Sequence, residues 1–301
     1  MELRQLRYFL AIVEHGSFSR AASELGRTQQ ALSKAIHALE EELGVHLLDR
    51  NAQLAAPTAF GKLLLEHGRA IEGEMRTLRA KLAGLLEAEA GVVRLGAGPS
   101  AAGGLVARAM LDLQRTRPLI HIDVLDGLHG DLVQHLQQGR IDLAVCIETH
   151  DVDLGNLMRE TLCEDEYVIV CGAAHPLAGE GTISVKDLAG MRWIVGRNHG
   201  EVESAWAALF DEAGLARPKA AIETNSIEFC RATLCAGEHL SVLTRSLIDD
   251  ELRSGKLRAL AVAQAAWRRP VALIYRRGNL QAPAMLAVID ALYSAARVSD
   301  G

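Results

Sequence analysis

Gly16-Ser17-Phe18-Ser19-Arg20-Ala21-Ala22 runs into Gln29-Gln30-Ala31-Leu32-Ser33-Lys34-Ala35-Ile36, then Leu39-Glu40-Glu41-Glu42-Leu43-Gly44-Val45, and closes at Leu47-Leu48-Asp49-Arg50. The stretch reads as two short helices joined by a tight turn and followed by a hairpin-like wing. That layout places one helix in the major groove of DNA. Upstream, Leu3, Leu6, Phe9, Leu10 and Val13 recur at spacings of three and four, which predicts an amphipathic first helix that Gly16 ends. Ser19 is the expected N-cap of the second helix, in which Ala21 and Ala22 allow close approach and which Gly26 closes. Thr28 caps a third helix over residues 29–42. Leu32, Ile36 and Leu39 form its apolar stripe, and Gln29, Gln30, Ser33, Lys34 and His37 lie off it. Short donors and acceptors with one cation suit base edges and phosphates, although a polar helix face is also what a merely solvated helix shows.

Charge alone does not point to DNA. Residues 1–65 hold seven Lys/Arg and seven Asp/Glu, and the whole chain carries a formal charge of -6. Attraction to phosphate must then come from local placement and from pairing copies of the domain. At 301 residues the chain is too long for one small core. Its 49% hydrophobic and 23% charged content is that of a soluble globular protein. The N-terminus lacks a basic region ahead of an apolar core, and no run of about 18 apolar residues is present. A cytoplasmic protein without a membrane span is expected. The five cysteines, Cys146, Cys163, Cys171, Cys230 and Cys235, are odd in number, lack zinc-ribbon pairing, and read as reduced thiols.

Between Thr58 and Glu87 there is no proline. Phe60, Leu64, Ile71, Met75, Leu78, Leu82 and Leu85 share one stripe, with His67 its polar member. Such a helix spans about 45 Å and needs a partner along its stripe, either a core or a second copy. Gly61, Gly68, Gly73 and Gly84 lower its intrinsic helicity, so pairing is expected to supply stability.

From Val92 onward short apolar runs alternate with helices. Strands are predicted at 92–97, 120–125, 141–147, 167–171, 193–195, 221–224, 240–243 and 271–275. Helices are predicted at 105–116, 131–138, 202–213, 227–236, 246–254 and 284–295. The alternation predicts parallel sheets covered on both faces, two small sheets rather than one. Ligands in such folds bind beyond the carboxyl ends of the strands. The first strand leaves through Gly96, Ala97, Gly98 and Pro99 to Ser100, either an anion-facing group or a plain N-cap, and His129 follows the second strand in the same way.

The N-terminal 64 residues closely resemble the DNA-binding domain of the LysR-type transcriptional regulators, through G-S-F-S-R-A-A, Q-x-A-L-S-K-x-I, L-E-E-E-L-G-V and L-L-D-R. The resemblance continues through Leu136-Gln137-Gln138-Gly139-Arg140-Ile141-Asp142-Leu143-Ala144-Val145 and His175-Pro176-Leu177-Ala178, and more loosely through Ala236–Leu243. It implies a winged helix-turn-helix over 1–58 and a linker and dimerisation helix over 59–89. It also implies a C-terminal α/β, periplasmic-binding-protein-like effector domain over 90–301, made of two Rossmann-like subdomains (90–162 with 267–301, and 163–266). The DNA-facing residues it implies are Ser19, Arg20, Thr28, Gln29, Gln30, Ser33, Lys34, His37 and Arg50. The effector-facing residues are Ser100, Ala101 and His129 from one subdomain and Arg197, Asn198, Val202 and Asn225 from the other. The implied partners are double-stranded DNA with an interrupted palindrome, a small-molecule effector, further copies in a homodimer or homotetramer, and RNA polymerase. No cofactor, metal or membrane is expected.

Several residues depart from the family pattern. Gln30 stands where proline is usual, and residues 51–58 are less basic than most wings. His129 replaces a small hydroxyl residue, and His239 and Thr244 stand where glycine and proline are common. The His129 ring suggests a different or smaller effector and pH dependence. Arg197 suggests an anionic, carboxylate effector unless it pairs with Glu201. An enzyme is not expected, since Gly-x-Ser-x-Gly, Walker and His-Glu-x-x-His motifs are missing and Leu95-Gly96-Ala97-Gly98 is only a fragment of a dinucleotide fingerprint. Cys146 with His150, and Cys171 with His175, are single pairs of metal-compatible spacing. The remaining alternatives are a thiol redox-sensing regulator of the same fold and a solute-binding protein.

Overall fold

The structure, a computed structural model, describes residues 1–49, 55–86, 91–148, 152–179, 181–196, 200–262, 267–276 and 282–299. The chain opens with α1 (Leu3–His15), α2 (Phe18–Glu24) and α3 (Gln29–Leu43). Leu6, Phe9, Leu10 and Ile12 of α1 are buried with Ala21 and Ala22 of α2 and Leu32, Ile36 and Leu39 of α3. Each helix stops where its sequence stops offering helical partners. Gly16 and Gly44 take the left-handed conformation that closes α1 and α3 (φ 62° and 69°). Thr28 caps α3 by accepting from Ala31 N–H at 3.2 Å. The cap of α2 is Ser17, not Ser19. Ser17 has extended backbone and accepts from Arg20 N–H, whereas Ser19 sits one residue inside the helix and is exposed.

The long helix α4 (Ala59–Leu86) follows. Leu64, Leu65 and Ile71 pack on the three-helix core, while Phe60, Leu63, Leu78 and Leu82 are exposed in the single chain. Three of the glycines expected to weaken α4 are points of close approach. A Cβ on Gly61 would lie 2.1 Å from Leu47 O, one on Gly68 2.8 Å from Leu6 Cδ1, and one on Gly73 2.8 Å from Gly139 Cα. Their lost helix propensity is offset by close packing, against backbone at Gly61 and Gly73 and against the Leu6 and Leu10 side chains at Gly68.

Two lobes come next. The first holds β1 (Gly91–Ala97), α5 (Pro99–Ala101), a π-helical turn (Ala102–Val106), α6 (Ala107–Thr116), β2 (Ile120–Asp126), α7 (His129–Gln137) and β3 (Leu143–Ile147). Strand β4 (Leu157–Gly172) runs from the first lobe into the second. There it is followed by α8 (Val185–Ala189), β5 (Arg192–Gly196), α9 (Gly200–Glu212), β6 (Ala220–Thr224), α10 (Ile227–Ala236), β7 (His239–Thr244), α11 (Asp249–Ser254) and β8 (Leu257–Ala259). Strand β9 (Trp267–Arg276) returns to the first lobe, and α12 (Pro283–Ser299) packs there against α6, β1 and β4.

Two separate parallel sheets are not what forms. A single sheet runs β2-β1-β3-β9-β4-β7-β5-β6, with β8 on β4. Strands β1, β2 and β3 are parallel, as are β5, β6 and β7, but β4 and β9 pair antiparallel from Leu157↔Arg276 to Tyr167↔Trp267 and fuse the two parallel sets. The first half of β4 escaped prediction because Arg159, Glu160 and Thr161 are exposed in succession, without the alternation of a half-buried strand. The short elements α8 and β8 were not anticipated either. The Trp193, Trp206 and Phe210 rings pack edge-to-face in the second lobe, with centroids 5.5–6.0 Å apart.

Candidate DNA-reading face and effector cleft

The exposed side of α3 carries Gln29, Gln30, Ser33, Lys34 and His37, all open to solvent, with Ser19 and Arg20 of α2 exposed as well. The Thr28 oxygen serves the helix cap and its hydroxyl proton remains available. His37 Nε2 lies 3.7 Å from Glu41 Oε1, one helical turn away on the same exposed face. Arg50 lies outside the described residues.

The base of the wing is held by a residue the sequence reading passed over. Glu40, in a run of three glutamates, is 8% exposed. Its Oε1 accepts from Leu47 N–H (2.7 Å) and Leu48 N–H (3.3 Å), and its Oε2 lies 3.5 Å from His46 Nδ1. On the other side Thr58 Oγ1 donates to His46 O (2.7 Å) and Thr58 N–H to Leu47 O (3.0 Å). Leu48 and Pro57 then form a one-residue antiparallel bridge into the wing. A charged group accepting two buried amides makes strong hydrogen bonds, so Glu40 fixes where the wing leaves α3.

Between the lobes lies a cleft of about 470 Å³, within the range of small-molecule sites. Most of its lining comes from the carboxyl ends of strands and the turns that follow them, with Asp131 of α7 and Cys230 of α10 adding to it. Gly98, Pro99 and Ser100 follow β1, Gly127 to Gly130 follow β2, and Cys146 and Ile147 end β3. Facing them are Gly196 after β5, Thr224 to Ser226 after β6, the β7 residues Ser241 to Thr244, and Tyr167 of β4. Ser100 (8% exposed) and His129 (5%) are buried here, and Asn225 lines the opposite wall. Ser100 is not an N-cap, for Gly98 occupies that position. Ala101 does not reach the cleft. One residue along α5 turns it about 100° away, into the first lobe's core. Arg197 and Asn198 lie outside the described residues, as does the side chain of Val202 on α9.

The fold adds cleft residues that local sequence hid. Thr244, 3% exposed, ends β7 with a buried Oγ1 that meets no hydrogen-bond partner among the described residues. Ser241 Oγ donates to Ile194 O (2.8 Å) and accepts from Cys230 Sγ (3.6 Å). Ser246 Oγ reaches across from the second lobe to Ser100 O (3.1 Å) and lies against the Asp165 carboxylate, whose pKa burial pushes up. Cys146, Cys171 and Cys230 are poor nucleophile candidates. Burial, reinforced by Glu148, pushes Cys146 up to about 12, and burial pushes Cys171 up to about 11. Cys230 is raised by burial too, while Cys235 is exposed. Among the described residues no group of three or more His, Cys, Asp or Glu is placed to hold a metal, and no helix is long and apolar enough to cross a membrane.

Comparison with known proteins agrees with this architecture at both ends. Residues 3–62 match the bacterial regulatory helix-turn-helix protein of the lysR family, and residues 87–297 match the LysR substrate binding domain. The chain is 31% identical over 291 residues to the SDS degradation transcriptional activation protein of Pseudomonas sp. (strain ATCC 19151), covering 95% of this chain and 94% of that one. Its fold is similar to that of a full-length OxyR variant from Pseudomonas aeruginosa (TM-score 0.73, 20% identity, 99% of this chain and 95% of that one). It is also similar to full-length CbnR complexed with its target DNA (TM-score 0.70, 19% identity, 98% of this chain and 100% of that one). The chain therefore belongs to the LysR family of DNA-binding transcriptional regulators, with a helix-turn-helix head and an effector-binding domain.

Proposed function

We propose that this regulator is controlled by a small molecule bearing a carboxylate or similar oxygen acceptor, held in the cleft between the lobes. The observation that carries the reading is the convergence of α7, Ser100 and Thr244 on that space. Helix α7 enters the cleft with an N-cap, Leu128, that supplies no side-chain hydrogen bond. Amides at such a helix start attract an anionic or carbonyl oxygen. The Thr244 hydroxyl opposite, without a partner among the described residues, costs on the order of 1–3 kcal/mol until a ligand or water satisfies it. Arg197 is the cation the sequence offers for the same acceptor.

In this reading Gln29, Gln30, Ser33 and Lys34 contact bases and phosphates in the major groove. Ser19, Arg20, Thr28, His37 and Arg50 contact the backbone beside it. The exposed Phe60, Leu63, Leu78 and Leu82 of α4 support pairing with a second copy, and two such dimers make a tetramer.

The test is a thermal-shift screen of the full chain against small carboxylates and their neutral amides. A true effector stabilises by about 2.7 kcal/mol at a hundredfold excess over its Kd, and Thr244→Val weakens it. Stabilisation by the amides but not the acids rejects the carboxylate. A hit whose binding ignores both Thr244→Val and Ser100→Ala rejects the cleft.

A further inference from the structure

Helix α7 touches the cleft at one end and the linker helix at the other. At its start His129 and Gly130 line the cleft. At its far end Leu136 O accepts from Arg276 Nη1, and the turn that follows places Gly139, in the left-handed conformation (φ 66°), directly on Gly73 of α4. The two backbones are so close that a Cβ on Gly73 would come 2.8 Å from Gly139 Cα. Arg76, one turn along α4, donates from Nη2 to Gly139 O, and Glu74 lies 3.9 Å from Arg276 Nε. Between its ends α7 is fixed by Leu132, Val133 and Leu136, all buried with Ile141, Ala144 and Ile274.

The same segment of α4 grips the DNA-binding head on its adjacent face. Gly68 meets Leu6, Glu72 lies 3.6 Å from Arg7, and Arg69 feels both Glu14 of α1 and Arg140 beside Gly139. Positions 69, 73 and 76 form one helical stripe toward the first lobe, and 68 and 72 form the next, toward α1.

We infer that α7 relays the state of the cleft to the head, and that Gly73 is the positioning residue through which it does so. The inference rests on the cleft being the effector site. A nine-residue helix is about 13 Å long, and a close-packed interior transmits displacement rather than absorbing it. A ligand that shifts the start of α7 therefore moves Gly139 against α4, and α4 carries α1 and the reading helix with it. Because the contact is backbone on backbone, no side chain cushions the movement.

The experiment is a double-mutant cycle on DNA affinity. The full-length protein is used, with a duplex it selects from a random pool as the probe. Gly130 lines the cleft, and the nearest atom to a Cβ built there is Val152 Cγ2 at 4.0 Å, so Gly130→Phe fills the cleft at the start of α7. Gly73→Ala breaks the backbone contact while favouring the helix that carries it. Arg76→Met is the second test, removing the hydrogen bond to Gly139 O and sparing Gly73. The expected result is that Gly130→Phe changes affinity about fivefold or more in the parent protein and by much less in either the Gly73→Ala or the Arg76→Met background. An equal change in all three backgrounds overturns the relay and leaves the cleft reading standing. No change in the parent protein overturns the cleft as the control site and the relay with it.

Discussion

Replacing Gly61 by alanine sets two physical effects against each other at one atom. In an exposed helix interior the substitution is favourable by about 1 kcal/mol, because alanine is the better helix former. In this structure the new methyl would lie 2.1 Å from Leu47 O and 3.0 Å from Pro57 Cβ. Restoring ordinary contact requires α4 and the wing base to separate by about 1 Å, an overpacking cost of about 1–3 kcal/mol. The same carbonyl accepts from Thr58 N–H at 3.0 Å, and losing that bond costs about 0.5–1.5 kcal/mol more. The net expectation is a loss of about 2 kcal/mol, or about 10 °C for a head of this size. Thermal unfolding reads the loss, and hydrogen exchange at the Thr58 and Leu48 amides locates it. Gly190→Ala is the control, since nothing lies within 4 Å of its added Cβ, and it should change stability by no more than about 0.5 kcal/mol. A Gly61→Ala protein as stable as its parent, with unchanged exchange at Thr58, would refute the claim that this glycine is set by contact with the wing.

Ser33→Ala should weaken binding to the selected duplex by about 1 kcal/mol or more, with non-specific binding at the same salt unchanged, and equal losses on both would remove Ser33 from base readout. His175 is buried and its Nδ1 accepts from Leu177 N–H at 3.1 Å, and burial holds its pKa below the usual histidine value. A histidine with a lowered folded pKa contributes stability that is intact above about pH 6.5 and is lost as pH falls through the folded value. His175→Asn should therefore flatten the acid limb of the stability curve, and an unchanged limb in urea titrations at several pH values would assign it to other groups. Iodoacetamide followed by mass spectrometry should label exposed Cys235 well before Cys146 and Cys171, and equal rates would contradict the burial of those thiols.

The head was legible in the sequence because its signals are local. Apolar stripes, the Thr28 cap and the closing Gly16 each act within about one helical turn, and the cap of α2 moved by two residues, from Ser19 to Ser17. The single sheet was not legible, because what joins its halves is the pairing of β4 with β9, about a hundred residues apart, and the first part of β4 is too exposed to alternate. Ser100 and His129 could be placed because each follows a readable strand, whereas Asn225 was implied by the family resemblance. Thr244 could not be placed as a cleft residue, although a hydroxyl where the family commonly has proline was visible. The strand reading carried no information about which end of β7 opens on a cavity. Glu40 falls on the Leu32–Ile36–Leu39 stripe by helical spacing, but a glutamate there reads as an exposed neighbour of Glu41 and Glu42 until the amides of Leu47 and Leu48 are seen to meet it.

The path of the chain through the lobes sets an order of events during synthesis. The head is complete once α4 has emerged. The first lobe is not, because its core includes β9 and Ala284, Met285, Val288 and Leu292 of α12. The second lobe is inserted into it and lies upstream of β9 except for Trp267 at the start of that strand, which packs on the second lobe's core. At about 5–20 residues per second, the stretch from residue 86 to residue 299 takes on the order of 10–40 s to make. For that interval a nascent chain carries a finished DNA-reading head and a first lobe with open strand edges. Truncation anywhere within α12 should therefore damage the sensor first and leave the head folded.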